Sequence, residues 1–291
     1  MHRPDHSVIH TDQAARLRSL MRRRHHRPGT TLAILSGKGG VGKSNLAVNL
    51  SICLSERGLR VALMDLDMGL ANADVLMNLQ PRYTVAHVVG GARPIEEVCL
   101  RGPGGICFMP GASGVHGLSN LSEFERQHLI TQLHKLAASA DIAVFDLGAG
   151  LSRNVLSFAH IAERAWVVTT PEPTAVTDAY ASIKALRKER YRGSISLVVN
   201  MADSRAQAEA AYTRVAGVAQ KFLNLSVANA GYLLHDTSVE LAVQARCPFV
   251  IRYPGSNASA CIAAMASEVA RTCTPPQRRS GLLQRVAGLF V

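Results

Sequence analysis

A glycine-rich segment constrains the fold of this chain more than any other feature. Residues 37–44 read GKGGVGKS; the apolar run TLAILS precedes the segment, and its last residue opens the helix-like run SNLAVNLSICL. The segment matches the pattern G-x-x-x-x-G-K-[ST] in the strand, loop and helix context that the pattern requires. Backbone N–H groups of such a loop surround phosphate oxygens, and the positive end of the helix dipole adds to the attraction. The sequence therefore predicts a nucleoside triphosphate site on an α/β fold.

The side chains of this loop have separate predicted roles. We expect Lys43 to reach the β- and γ-phosphates and the Ser44 hydroxyl to bind Mg²⁺. The predicted nucleotide-binding residues of the loop are Gly37, Lys38, Gly39, Gly40, Val41, Gly42, Lys43, Ser44 and Asn45.

Short apolar runs alternate with longer amphipathic runs from Thr31 onward, which is typical of βα units on a parallel sheet. The predicted strands are 31–36, 60–65, 105–109, 141–146, 164–169, 195–199 and 229–233. The predicted helices lie near 43–57, 122–139, 174–189, 205–222 and 256–271. We predict a doubly wound, mostly parallel sheet of seven to eight strands with helices on both faces, which forms one ATPase domain over 30–271. A linker at 272–280 is expected to follow it.

The net charge of +11 is concentrated at the two ends of the chain. Residues 1–30 hold seven arginines against two aspartates, and residues 272–291 hold three arginines and no acid. Such ends indicate an acidic partner, either nucleic acid or an anionic lipid surface. The six cysteines include no C-x-x-C pair, which argues against a zinc or iron–sulfur site. No apolar run reaches the length of a membrane span and no signal peptide precedes the body of the chain, so we expect a cytoplasmic protein.

Lys38 is a cation that an ordinary P-loop does not need. The loop KGGVGKS resembles the deviant P-loop of the MinD/ParA family of ATPases, in which this lysine contacts the nucleotide of the partner subunit. The resemblance implies that ATP is held between two copies of the chain in a homodimer. It also implies that Lys38, Lys43 and Asp67 are the catalytic residues.

Three aspartates follow predicted strands. Asp65 and Asp67 lie in VALMDLDMGLANADVLM, and we expect their side chains to point to opposite faces and to have separate roles. The family resemblance implies that Asp67 positions or deprotonates the attacking water. It also implies that Asp65 joins Ser44 and Asp146, the Walker B carboxylate in IAVFDLGAG, in binding Mg²⁺. Leu147 replaces the serine or threonine of the relatives, so slow or altered hydrolysis is one expectation.

Further segments resemble the flagellar branch of the family, FlhG, which is also called FleN or YlxH. They read GLANADVLM, MPGASG, TTPEPTAVTDAYASIK and SLVVNMADSRAQAEA. The resemblance implies control of flagellar number and placement, and it implies that Asn200 binds the adenine edge. Asn200 and Asp203 have the spacing of the guanine signature N-K-x-D, but Met201 replaces the lysine, so the sequence predicts ATP.

Residues 1–29 are predicted to form a basic extension with an activator helix. The segment TDQAARLR at 11–18 resembles the D-Q-A-x-x-L-R element of some FlhG proteins. In that family the element stimulates FlhF, a GTPase of the signal-recognition type. The predicted partner-binding residues are Asp12, Gln13, Ala14, Leu17 and Arg18. A solvated basic helix without a partner is the alternative interpretation.

Residues 281–291, GLLQRVAGLFV, predict an amphipathic helix that resembles the membrane-targeting tail of MinD-type proteins. Its predicted membrane-binding residues are Leu282, Leu283, Val286, Leu289 and Phe290. We expect a cytoplasmic protein that is reversibly peripheral at the inner face of the cell membrane, on anionic lipid. A tail that packs into a groove of its own chain is the alternative.

The leading hypothesis is a dimerising, membrane-associated ATPase switch that regulates flagellar number and placement. Its expected cofactors are ATP and Mg²⁺. Its expected partners are a second copy, an FlhF-like GTPase, the membrane, and a flagellar transcription regulator or switch component. The alternatives are a MinD-like division-site ATPase, a ParA-like partitioning ATPase, and a weakly hydrolysing adaptor for a transcription factor. We do not expect a specific DNA site, because the basic run at 22–27 has no interleaved aromatic residue.

Overall fold

The computed structural model describes residues 29–67, 69, 71–112 and 121–273. The strands are β1 Thr30–Ser36, β2 Val61–Leu66, β3 Leu100–Arg101, β4 Cys107–Met109, β5 Ile142–Ala149, β6 Arg164–Thr169, β7 Ser194–Ala202 and β8 Ala228–Leu234. They form one sheet in the order β3-β4-β2-β5-β1-β6-β7-β8. All neighbours are parallel except β3 and β4. The mostly parallel sheet is confirmed, and the strand that the sequence did not predict, β3, is a short antiparallel one at the edge.

The five predicted helices are present with nearly the predicted bounds. They are α1 Lys43–Glu56, α5 Glu123–Ser139, α7 Pro173–Lys188, α8 Arg205–Leu223 and α11 Asn257–Thr272. The sequence did not predict the shorter helices α2 Ala73–Leu76, α3 Val85–Val89, α4 Ile95–Val98, α6 Arg153–His160, α9 Thr237–Gln244 and α10 Phe249–Arg252. Helices of two turns or less contain too few residues to display a 3.6-residue period, so periodicity does not reveal them.

The sheet separates two apolar cores, and the parity of each strand residue decides which core it enters. On β5, Val144 packs into the core formed with α1 and α11. Its neighbours Phe145 and Leu147 pack into the other core, which α5, α6, α7 and α8 cover. Asp146 is two residues beyond Val144, so the same alternation places it on the α1 face of the sheet.

Residues 1–28 and 274–291 lie outside the described residues, and they carry the predicted activator helix and the predicted membrane tail. Among the helices that the structure does describe, none has the length and apolar character needed to cross a membrane.

Candidate nucleotide-binding site

The loop between β1 and α1 has a backbone that requires glycine. Gly40 and Gly42 have φ angles of 80° and 87°, in the left-handed region. A Cβ atom on Gly42 would lie 2.2 Å from the side-chain nitrogen of Asn200, and a Cβ atom on Gly37 would lie 2.4 Å from the carbonyl oxygen of Asp178. No side chain caps the start of α1, so its first backbone N–H groups are available to a phosphate.

Two buried aspartates lie side by side below this loop. Asp65 on β2 and Asp146 on β5 are partners in the parallel register. Asp65 is fully buried, and its carboxylate accepts hydrogen bonds from the backbone N–H groups of Asp67 at 3.1 Å and Ala73 at 3.2 Å. Burial, and then repulsion by Asp146, raises the pKa of Asp65.

Asp146 is the less satisfied of the two. Both of its carboxylate oxygens are buried without a hydrogen-bond partner among the described residues. Burial raises the pKa of Asp146 to about 6, while the Ser44 hydroxyl and the Lys43 ammonium oppose the rise and the Asp67 carboxylate adds to it. An unpaired carboxylate beside a hydroxyl is the donor set that Mg²⁺ prefers, so Ser44 and Asp146 fit the predicted metal site. The role of Asp65 as a Mg²⁺ ligand stays a prediction, because its carboxylate oxygens already accept hydrogen bonds from two backbone N–H groups.

The expectation that Asp65 and Asp67 point to opposite faces was wrong. Residues two apart on a strand share a face, because side chains alternate with a period of two. Leu63 packs into the α1-side core, so the same parity places Asp65 on that side. Asp67 directly follows the strand, which ends at Leu66, and its carboxylate lies on the same side. The Asp67 carboxylate is close enough to raise the pKa of both Asp65 and Asp146. Asp67 also lies against Gly148, where a Cβ atom would be 3.3 Å from its carboxylate oxygen.

Replacing Asp146 by asparagine is expected to stabilise the nucleotide-free protein at neutral pH. The folded pKa of about 6 exceeds the ordinary value of 3.8, so the folded state binds more protons between these values and loses stability as the pH rises. The shift corresponds to an upper bound of roughly 3 kcal/mol. Thermal unfolding should show a higher Tm for Asp146→Asn at neutral pH and a difference that vanishes near about pH 4. A lower Tm at neutral pH would contradict the assignment.

Lys38 lies at the rim of the loop rather than inside it. Its ammonium group pairs with the Glu172 carboxylate at 2.7 Å and lies 3.4 Å from the Thr174 hydroxyl, at the start of α7. Its side chain is 34% exposed and that of Glu172 is 64% exposed. An ion pair this exposed contributes about 0–1 kcal/mol, so Lys38 can exchange this partner for another anion at little cost.

Asn200, near the end of β7, is hydrogen-bonded to the nucleotide loop. Its side-chain N–H donates to the Val41 carbonyl at 2.8 Å, and its side-chain oxygen accepts from the Met201 N–H at 2.9 Å. Both ends of the amide thus have partners within the chain, and a direct bond to adenine stays a prediction. Asn200 does line a cavity beside the loop, which other residues from β8, α9 and α10 also enclose. Those residues include Leu233, Val239 and Phe249.

The walls of this cavity were missed by sequence reasoning. They are ordinary apolar residues without a motif, and only the fold brings them beside the loop.

Leu147 faces away from the nucleotide loop. It is fully buried and pairs in register with Leu66, and it packs into the core on the sheet face opposite Asp146. The structure therefore gives Leu147 a packing role, and its effect on hydrolysis stays a prediction.

The fold and the loop geometry define a class, the P-loop NTPases with an additional lysine in the loop. The model of the ParA family, described as NUBPL iron-transfer P-loop NTPase, matches residues 28–270. Antiactivator FleN of Pseudomonas aeruginosa is 36% identical over 88% of this chain and 91% of its own length. The flagellum site-determining protein YlxH of Helicobacter pylori is 35% identical over 72% of this chain and 73% of its own length. The cell-division ATPase MinD of Pyrococcus furiosus has a similar fold, with a TM-score of 0.72 at 23% identity over 84% of this chain and 99% of its own.

The chain therefore belongs to the MinD/ParA family of P-loop ATPases, in the branch that contains FleN and YlxH. This confirms the predicted fold class, the ATPase class and the predicted cofactors, ATP and Mg²⁺.

Proposed function

We propose that this chain is an ATP-dependent dimerising switch that regulates flagellar number and placement. The observation that carries the proposal is its similarity to FleN and YlxH over most of its length. The names of those relatives refer to antiactivation and to flagellum site determination. MinD of Bacillus subtilis matches at 34% identity but over only 59% of the chain, which favours the flagellar role over the division-site alternative.

In the proposed cycle, ATP binds at the loop and the phosphates meet Lys43 and the open end of α1. Ser44, Asp65 and Asp146 would hold Mg²⁺, which would supply positive charge to neutralise the phosphates. Asp67 positions or deprotonates the attacking water. Lys38 leaves Glu172 and binds the nucleotide of a second copy, because a phosphate carries more charge than the carboxylate it replaces.

The membrane role rests on the sequence of the tail, and the GTPase role rests on TDQAARLR; both segments lie outside the described residues. The proposed partners are a second copy, an anionic membrane, an FlhF-like GTPase, and a flagellar transcription regulator or switch component. The name of the antiactivator relative supports the transcription regulator in particular.

The flagellar role can be tested by replacing the native gene with one that encodes Lys43→Ala. Lys43 is 8% exposed at the phosphate end of α1, so its loss should abolish nucleotide binding. We expect an altered number or position of flagella by electron microscopy. Normal flagella in cells that contain the variant at native levels would contradict the proposal.

A peptide of residues 1–27 is expected to raise the GTP turnover of the cognate FlhF-like protein. The segment TDQAARLR precedes the ATPase domain and places Ala14 and Leu17 on one face of the predicted helix. The ATPase domain without this segment should not stimulate turnover. Measured GTP hydrolysis should fall to the basal rate with peptides that carry Gln13→Ala or Leu17→Ala, and equal stimulation by these peptides would refute the role.

A further inference from the structure

Five lysine and arginine side chains crowd the end of α7 and the turn that follows it. They are Lys184, Arg187, Lys188, Arg190 and Arg192, and all are exposed. None of them forms an ion pair within the described part of the chain. The exposed acids beside them are Glu163 and Glu189, so the cluster keeps an excess of positive charge. We call these five residues the α7 basic surface.

The turn that carries this surface has a fixed backbone. Arg190 lies two residues after the end of α7 and has a φ angle of 60°. Its N–H donates to the Arg187 carbonyl at 3.0 Å, and the Tyr191 N–H donates to the Leu186 carbonyl at 2.9 Å. This is a Schellman motif, in which glycine is the usual residue at the left-handed position. The Tyr191 hydroxyl donates to the buried Ala162 carbonyl at 3.0 Å and anchors the turn.

The α7 basic surface lies at the edge of the sheet where α11, the last described helix, ends. Arg164 at the start of β6 donates hydrogen bonds to the side chain and carbonyl of Thr272, at 2.7 and 3.1 Å. Arg164 is also the register partner of Ser194 on β7, directly after the basic turn. Thr272, the last residue of α11, therefore lies at the same end of the sheet as this turn, although α11 and α7 pack on opposite faces of the sheet. This edge is formed by the amino ends of the parallel strands, opposite the nucleotide loop.

We propose that the α7 basic surface is a second membrane contact that binds anionic lipid headgroups. The inference rests on the proposed membrane role of the tail. The apolar tail follows α11 in the sequence, and α11 ends at the same edge of the sheet as the five unpaired cations, so one bilayer can meet both. Lysines and arginines that lie close to an anionic leaflet add to binding, and they do so without inserting into the bilayer. In an ATP-bound dimer, the α7 basic surfaces of both copies contribute to lipid binding.

The test is co-sedimentation of the full chain, with ATP, on phosphatidylcholine vesicles with or without phosphatidylglycerol. One variant combines Arg187→Gln, Lys188→Gln and Arg192→Gln; its matched control combines Arg82→Gln, Arg101→Gln and Arg246→Gln, which removes equal charge from other exposed sites. We expect the α7 variant to bind vesicles that contain phosphatidylglycerol at least about tenfold more weakly than the control. Arg190→Gly should also weaken binding while it raises Tm, because glycine relieves the left-handed backbone.

The outcomes separate this inference from the proposed membrane role. Equal binding by the α7 variant and its control, with loss of binding for Leu283→Glu plus Phe290→Glu, would overturn the α7 basic surface and leave the tail anchor intact. Undiminished binding of the tail variant would overturn the membrane role itself. Loss of binding to duplex DNA, with vesicle binding unchanged, would identify the surface as a nucleic-acid contact and would also overturn the proposal.

Discussion

Replacing Asp67 by alanine is expected to lower ATP hydrolysis at least 100-fold while ATP still drives dimer formation. A side chain that positions or deprotonates the attacking water typically contributes 10²- to about 10⁴-fold. Asp67 lies against Gly148 at the end of β5, on the sheet face that carries Asp65 and Asp146. It does not belong to the loop that binds the phosphates, so nucleotide affinity should be retained.

Phosphate release under single-turnover conditions measures this effect. Asp74→Ala is the matched control, because Asp74 belongs to the same segment but its carboxylate accepts a hydrogen bond only from the N–H of its neighbour Val75 among the described residues. Its rate should equal that of the wild type. Hydrolysis by Asp67→Ala within a few-fold of the control would show that another group activates the water.

Membrane binding is expected to require both ATP and the tail at 281–291. Burial of five apolar side chains has an upper bound of roughly 8 to 15 kcal/mol, at about 1.5 to 3 each, and most of it is offset by ordering the tail and by lost translational freedom. One tail should therefore bind weakly and reversibly. Two tails on one dimer make the second contact intramolecular, which can raise the apparent affinity by about 10²- to 10⁴-fold.

Co-sedimentation with anionic vesicles measures this effect with ATP, with ADP and without nucleotide. Leu283→Glu combined with Phe290→Glu should abolish binding in every state, and Gln284→Glu is the control for added negative charge on the polar side of the tail. Full binding without nucleotide, or by the double variant, would show that the tail is not an ATP-dependent anchor.

The sequence predicted the sheet well because its strands are short apolar runs between clear helices. The antiparallel strand β3 was not predicted, because two residues are too few to show the alternation of apolar and polar side chains. The P-loop was predictable because its pattern encodes backbone geometry: Gly40 and Gly42 adopt the left-handed conformations that the loop requires.

What could not be predicted depends on contacts between distant segments. The pairing of Lys38 with Glu172 joins residues that are 134 positions apart, and the bond from Asn200 to Val41 spans 159. The relative orientation of Asp65 and Asp67 was predictable in principle. Residues that are two apart along a strand share a face, so their spacing itself predicts this arrangement.

The most direct test of the central claim is the mass of the full chain in solution, by light scattering, with ATP and with ADP. We expect Asp67→Ala to shift from one chain of 31.2 kDa to about twice this mass with ATP but not with ADP. Lys38→Ala in the same background should stay monomeric, because it lacks the cation that would exchange Glu172 for the partner's nucleotide. Glu172→Gln should dimerise at least as readily, since it frees Lys38. A dimer of the Lys38→Ala variant that forms with ATP as readily as the parent would contradict the account.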